Sequence, residues 1–376
     1  MNDRQDGLSS ADLQEAWPLL SPAERIEGFL LLSRAEAEDL FLSLSVLDQA
    51  TLLHDLPLGE RRLWMRLLAP DDAADVIQAA PEDKREGLLL LLDDSARKEV
   101  TALLAYAEDE AGGLMSPHYA RVRPEMRVDE AISYLRRQAH ERLETIYYAY
   151  VLDAQQRLLG VVSFREILAA LGEKKVEEIM EVEVIAVSEQ LDQEAVSLLF
   201  AQHDLMALPV VDATSRMKGI VTVDDIVDVV QEEATEDIQK IGGMEALDGP
   251  YLQIGFLHMV KKRAGWLSAL FLGEMLTATA MGYYEHAIER AVVLALFIPL
   301  IISSGGNSGS QASTLVVHAM ALGEVRLRDW WRVIRRELAA GVVLGTILGT
   351  IGLMRILLWP ARAQVYGEHL SSLASP

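Results

Sequence analysis

Seven carboxylates fall between Asp224 and Asp237, namely Asp224, Asp225, Asp228, Glu232, Glu233, Glu236 and Asp237, with no Lys or Arg among them. On a helix, Asp225, Asp228, Glu232 and Glu236 share one face at spacings of 3, 4 and 4 residues. Like charges at that spacing repel by roughly a few tenths of a kcal/mol per pair. A hard divalent cation with oxygen ligands relieves the repulsion. The competing reading is a solvated acidic face without chemistry.

A second constellation is Ser303-Ser-Gly-Gly-Asn-Ser-Gly-Ser-Gln311, where three glycines and six polar side chains interrupt an apolar stretch. Polar groups facing lipid are costly, so such a break is expected to line a wet path through protein. Small residues also suit helix packing, but Asn307 and Gln311 do not, which favours the path. Glu274 and Arg355 are further ionisable groups in apolar surroundings, and His258 and His318 read as packing or interface residues. No GxxxxGK loop, HExxH pair or nucleophile elbow occurs, so no catalytic constellation is expected and the chain does not read as an enzyme.

The elements that hold these groups divide by charge. Residues 1–250 carry 23 basic and 50 acidic residues, a net −27, while residues 251–376 carry 11 and 7, a net +4. The acidic part argues against nucleic acid as partner and suits cations. Cysteine is absent, which excludes disulfides and thiolate metal sites. The N-terminus has no apolar run of the secretory kind.

Residues 1–110 read as a stack of short helices, opened by proline followed by acids at Ser21-Pro22-Ala23-Glu24, Ala69-Pro70-Asp71-Asp72 and Ala80-Pro81-Glu82-Asp83. An internal repeat follows. Asp153 and Gly160 return as Asp212 and Gly219, both 59 positions later, each within a helix–strand–turn–strand–helix unit whose helices are expected at Val128–Ala139 and Asp192–His203. Residues 224–250 read as an acidic helical connector, closing at Gly242-Gly243 and Gly249-Pro250. Three hydrophobic spans are expected at about 264–284, 291–320 and 338–359, the second broken in its middle. Lys261, Lys262 and Arg263 precede the first span, and Arg326, Arg328, Arg332, Arg335 and Arg336 separate the second from the third. Positive-inside logic puts both groups in the cytoplasm and the C-terminus outside.

The pieces Ala111-Gly-Gly-Leu-Met-Ser-Pro117, Glu144-Thr-Ile-Tyr-Tyr148, Gly219-Ile-Val-Thr-Val-Asp-Asp225, Glu233-Ala-Thr-Glu-Asp237 and Gly305-Gly-Asn-Ser-Gly309 resemble the MgtE-type magnesium channels and transporters, from about residue 15 to about 370. The resemblance implies a multidomain fold: an all-α superhelical N-terminal domain (1–110), an α/β tandem CBS pair (111–175 and 176–231), an acidic connecting helix (232–260) and an α-helical transmembrane domain (261–376) with three spans visible. It implies a homodimer in the plasma (inner) membrane with its N-terminal domains cytoplasmic. By the same resemblance, magnesium is expected to be both regulator and cargo, closing the pore when it bridges the acidic faces. The implied metal ligands are Asp71, Asp75, Asp192, Glu194, Ala201 through its carbonyl, Asp204, Asp224, Asp225, Asp228, Glu233, Glu236 and Asp237. Adenine nucleotide (ATP) is implied at Tyr148, Arg165 and Glu166, although Glu166 stands where the family often has Asp and Leu205 where an aromatic would stack on adenine. Gly305, Gly306, Asn307, Ser310 and Gln311 are expected to line the pore. Family members have five spans with a pore aspartate in the last, so the expectation is a chain lacking the last two. Its alternative reading is a non-conducting, membrane-tethered sensor of magnesium or adenine nucleotide, or a truncated paralogue.

Overall fold

The structure, a computed structural model, describes residues 9–139, 143–247, 251, 254–286, 297–321 and 324–358. It divides into two units, 1–232 and 233–376.

In the first unit, α1 (Ser10–Ala16), α2 (Pro22–Leu31), α3 (Arg34–Ser43), α4 (Val46–Asp55), α5 (Leu58–Met65), α6 (Pro70–Ala79), α7 (Glu82–Leu89) and α8 (Asp94–Leu103) form the helical domain. Helix starts follow the local chemistry. Ser9, Ser21 and Ser33 each cap a helix while the acid three residues on, Asp12, Glu24 or Glu36, bonds back to the cap. Pro22 and Pro70 occupy first helical positions, where a missing N–H costs nothing, whereas Pro81 sits one step earlier, as the N-cap of α7. Alternate helices pack together, α1 on α3, α2 on α4, α4 on α6 and α6 on α8, which is the superhelical stacking expected from the closely spaced starts. Helix α6 is central, burying Ala73, Ala74, Val76 and Ile77 between its neighbours.

The repeat forms two three-stranded sheets of the same design. The first joins β1 (Arg121–Val122), β2 (Tyr148–Leu152) and β3 (Leu158–Ser163); the second joins β4 (Val187–Ser188), β5 (Ala207–Val211) and β6 (Met217–Thr222). In each, the outer strand runs parallel to the middle one, which pairs antiparallel with the third. Tyr148 faces Ser163 as Ala207 faces Thr222, and Val151 faces Gly160 as Val210 faces Gly219. The hairpin turns also match. Asp153 Oδ1 accepts from the N–H of Gln155 and Arg157, and Asp212 Oδ1 from Thr214 and Arg216. The helices of the pair are α9 (Ala111–Leu114), α10 (Val128–Gln138), α11 (Phe164–Ala169) and α12 (Gln193–His203).

The repeated glycines have a steric reason. A Cβ on Gly160 would lie 2.7 Å from the Glu181 carbonyl oxygen, and one on Gly219 would lie 2.6 Å from that of Ser116. Another segment therefore lies directly against each hairpin, and at Gly219 it is Ser116, paired with Ile220 through two backbone hydrogen bonds.

Helix α13 (Val223–Ile241) opens immediately after β6, earlier than an opening at 232, and closes at Gly242-Gly243, where Gly243 takes φ +69°. Beyond it lie α14 (Phe256–Tyr283), α15 (Ile298–Ala321) and α16 (Trp330–Leu357). Among the described residues, two stretches are long and apolar enough to cross a membrane, Phe256–Tyr283 and Leu327–Arg355. Helix α15 by itself falls below that measure, because its central polar residues lower its hydropathy; residues 291–296, the apolar start of the expected second span, and 359 of the expected third lie outside the described residues. The expected break is also corrected. Residues Ser303 to Gln311 continue as α-helix, since small side chains leave the backbone ladder intact and Thr314 returns its hydroxyl to the Ser310 carbonyl.

Candidate metal centre

Asp71 stands in the first turn of α6, just after Pro70, and is only 6 % exposed. Its Oδ1 is buried without a hydrogen-bond partner. An unpartnered buried carboxylate is costly. Burial accordingly pushes its pKa up to about 8, and the charges of Glu144, Asp225 and Asp72 act in the same direction. Asp75 follows one turn later on the same helical face. Burial raises it to about 7, with Asp72, Asp225, Glu108 and Glu232 adding to the rise.

The opposing wall is the start of α13. Asp225 is raised to about 7, first by burial and then by Asp224 and Asp72, even though Thr222 donates its hydroxyl to Asp225 Oδ2 at 2.7 Å. Asp72 keeps solvent contact, yet loss of surrounding water raises it too, with Asp224 and Asp228 contributing. Glu144 closes the third side. Ser116 Oγ donates to its Oε2 at 2.9 Å, and its own N–H donates to the His118 carbonyl at 2.9 Å. Burial raises Glu144, Asp72 and Asp224 add to this, and His118 opposes it. Gly219 thus acts at a distance, because the close approach it permits fixes the Ser116 segment that holds Glu144.

No cation figures among the groups that shift Asp71, Asp72, Asp75 or Asp225. Among the described residues, no three His, Asp or Glu side chains close into a ready-made metal cluster. The acids act on one another through space instead. This all-oxygen donor set, with one orphaned carboxylate oxygen, fits a hard divalent cation, and an open arrangement suits magnesium, which sheds water reluctantly.

Of the ligands the resemblance implies, Asp71, Asp75, Asp224, Asp225 and Asp228 lie within electrostatic reach of this group of acids. Glu233, Glu236 and Asp237 lie on α13 in the second unit, where Glu236 pairs with Lys240 at 2.6 Å. Asp192, Glu194, Ala201 and Asp204 are exposed along and at the ends of α12, and none figures among the groups raising Asp71, Asp75 or Asp225. Asp192 caps α12 by accepting from Glu194 N–H at 3.0 Å, and Asp204 ends it at φ 51°. Asp72, Glu108 and Glu144 join the site without having been singled out as ligands, and Glu232 joins it from the acidic face of the connector. Glu144 stands in the quoted stretch Glu144–Tyr148, and only its fold contacts reveal the role.

Tyr148, Arg165 and Glu166 gather at one end of the first hairpin, where Tyr148 pairs with Ser163, the cap of α11. Glu166 Oε2 accepts from Ser163 N–H at 2.9 Å and from its hydroxyl at 2.8 Å. Gly305, Gly306, Asn307, Ser310 and Gln311 are exposed on α15.

Residues 8–109 match the MgtE intracellular N domain, 111–173 and 176–232 each match the CBS domain, and 298–374 match the MgtE divalent cation transporter domain. The crystal structure of the cytosolic domain of the Mg2+ channel MgtE in complex with ATP is 44 % identical, with a TM-score of 0.55 over 59 % of this chain and 90 % of that one. The chain belongs to the MgtE family. Within it, the magnesium transporter MgtE of Thermus thermophilus is 43 % identical over 281 residues, 74 % of this chain and 62 % of the relative. The MgtE of Bacillus subtilis is 29 % identical over 84 % of this chain and 69 % of the relative. That of Enterococcus faecalis is 34 % identical over 69 % of this chain and 57 % of the relative. The chain therefore spans between 57 % and 69 % of the length of these three MgtE relatives.

Proposed function

We propose that this chain is a subunit of a magnesium channel or transporter of the plasma (inner) membrane, gated by cytoplasmic magnesium. The observation that carries this reading is the buried Asp71, whose orphaned oxygen, among the described residues, is influenced by other acids and by no base. Asp71, Asp72 and Asp75 on α6, Glu144, and Asp224, Asp225 and Asp228 on α13 would hold the cation. When bound, it supplies the positive charge that this wall of carboxylates lacks. Without it, the acids of α6 repel those of α13 and Glu144 and loosen the helical domain from the connector. Glu233, Glu236 and Asp237 extend the acidic surface, and Asp192, Glu194, Asp204 and the Ala201 carbonyl offer an exposed second set.

In the membrane part, α14, α15 and α16 cross the bilayer in turn, which keeps the N-terminal domains and the arginine-rich segment before α16 both in the cytoplasm. Gly305, Gly306, Asn307, Ser310 and Gln311 of α15 line part of the route in a homodimer. The membrane potential favours cation entry by about 2.3 kcal/mol per charge per 100 mV. Adenine nucleotide binds at Tyr148, Arg165 and Glu166, in line with the ATP named for the related cytosolic domain. The test is growth and magnesium uptake of cells lacking magnesium importers. Expression of this chain should restore both at low magnesium, with D71N/D75N/D225N transporting but no longer shutting off at high magnesium. Failure to restore uptake contradicts transport, and normal shut-off in the variant contradicts the gate.

A further inference from the structure

Arg326, Arg328, Arg332, Arg335 and Arg336 fall within eleven residues, all arginine and none lysine, at the foot of α16. An open cleft of about 600 Å³ there is lined by Arg328, Asp329, Trp331, Arg332, Arg335 and Arg336. Asp329 reaches Arg332 at 3.5 Å, while Arg328, Arg335 and Arg336 have no carboxylate partner among the described residues. Trp330 and Trp331 are 60 % and 56 % exposed and meet edge to face, their ring centroids 5.6 Å apart.

Three features of this cleft agree. Its guanidinium groups are planar forks that grip phosphate in two-point fashion, which lysines do not. Its tryptophans suit headgroup depth, and α16 becomes continuously apolar about two turns further on, from Leu338. Its side of the membrane, on the positive-inside reading, is the anionic leaflet. Orientation alone asks only for positive charge anywhere in the loop, whereas here the charge converges on one cavity of small-ligand size.

We propose that this cleft binds the phosphate-bearing headgroup of an anionic phospholipid, with Trp330 and Trp331 beside that headgroup. The inference rests on the membrane reading of α16 but not on magnesium sensing.

The test uses the full chain carrying W266F and W359F, so that Trp330 and Trp331 are the tryptophans within reach of lipid; Trp17 and Trp64 are buried in the helical domain. It is reconstituted into phosphatidylcholine vesicles doped with acyl-brominated phosphatidylglycerol or, in parallel, acyl-brominated phosphatidylcholine. Half-maximal fluorescence quenching is expected at an about fivefold lower mole fraction of the anionic lipid, equivalent to about 1 kcal/mol. R328Q/R335Q/R336Q should abolish the preference and R328K/R335K/R336K should reduce it. Equal quenching by both lipids in the parent chain overturns the proposal. Full preference in the lysine variant also overturns it, reducing the effect to diffuse charge. If millimolar inorganic phosphate removes the preference, the occupant is free phosphate and the lipid assignment is wrong. A chain that does not insert refutes the membrane reading as well, whereas one that inserts without preference refutes this proposal alone.

Discussion

Asp48 on α4 and Asp71 on α6 are both withdrawn from water in the same helical domain, and they are treated in opposite ways. Asp48 meets Arg25 at 2.8 Å, with the two side chains 14 % and 12 % exposed, and Arg25 also bonds the Trp17 carbonyl and lies over the Trp17 ring. Asp71 faces Glu144, Asp225 and Asp72, and one of its oxygens has no partner. The first acid is completed by a base encoded in the chain. The second is left for a charge that must come from outside. Burial is common to both, so burial alone does not separate a structural carboxylate from a sensing one; the sign of the surrounding charges does.

Removing the base should make Asp48 resemble Asp71. R25M is expected to lower the stability of the full chain by roughly 1–3 kcal/mol in denaturant unfolding, because Asp48 loses its charged hydrogen-bond partner. Its response to magnesium should be unchanged, and a loss of that response would blur the distinction. G219A acts on the other side of the comparison, since its Cβ would meet the Ser116 carbonyl. A cost of roughly 1–3 kcal/mol is expected together with a weakened magnesium response, as Glu144 loses its anchor. The control G59A, with nothing within 4 Å of its Cβ, should leave the magnesium response unchanged. D71N has the opposite sign. Without divalent cation at pH 8.5 it should stabilise the chain by on the order of 1 kcal/mol, by removing a charge that its neighbours repel.

The smallest expected effect is a slope with pH. Asp71 titrates near 8 and Asp75 and Asp225 near 7, against an ordinary 3.8. The folded chain therefore holds more protons than the unfolded one between about pH 4 and pH 8, and this contribution to stability falls as pH rises through that window. Thermal melts at pH 5 and pH 8 in chelator should show the drop, and millimolar magnesium should shrink it by replacing the protons. An unchanged difference between the two melts in magnesium would contradict the uncompensated cluster.

Much of this was legible in the sequence because it depends on local chemistry. Ser21-Pro22 and Pro70 mark helix starts through capping and fixed φ. The 59-residue offset predicted two hairpins whose registers and aspartate turns agree pair for pair. That offset also maps Arg165 onto Asp224 and Glu166 onto Asp225, so one hairpin scaffold presents a mixed pair in the first repeat and two acids in the second. The connector acids were visible as a charge pattern on a helix face, whereas the Asp71–Asp75 pair came only from the family resemblance. Glu108 and Glu144 were not, since both stand in loops, and the place of Glu144 depends on long-range contacts such as Ser116 against Gly219. The expected break at Gly305 and Asn307 is absent, because a helix keeps its backbone hydrogen bonds through glycine and polar residues whose side chains cost it little.

The most direct test is calorimetric titration of the full chain in detergent with magnesium, alongside D71N/D75N/D225N. The account predicts millimolar-range binding in the parent chain, accompanied by protection of the soluble region from protease, and loss of both in the variant. Binding and protection of equal strength in the two proteins would contradict it.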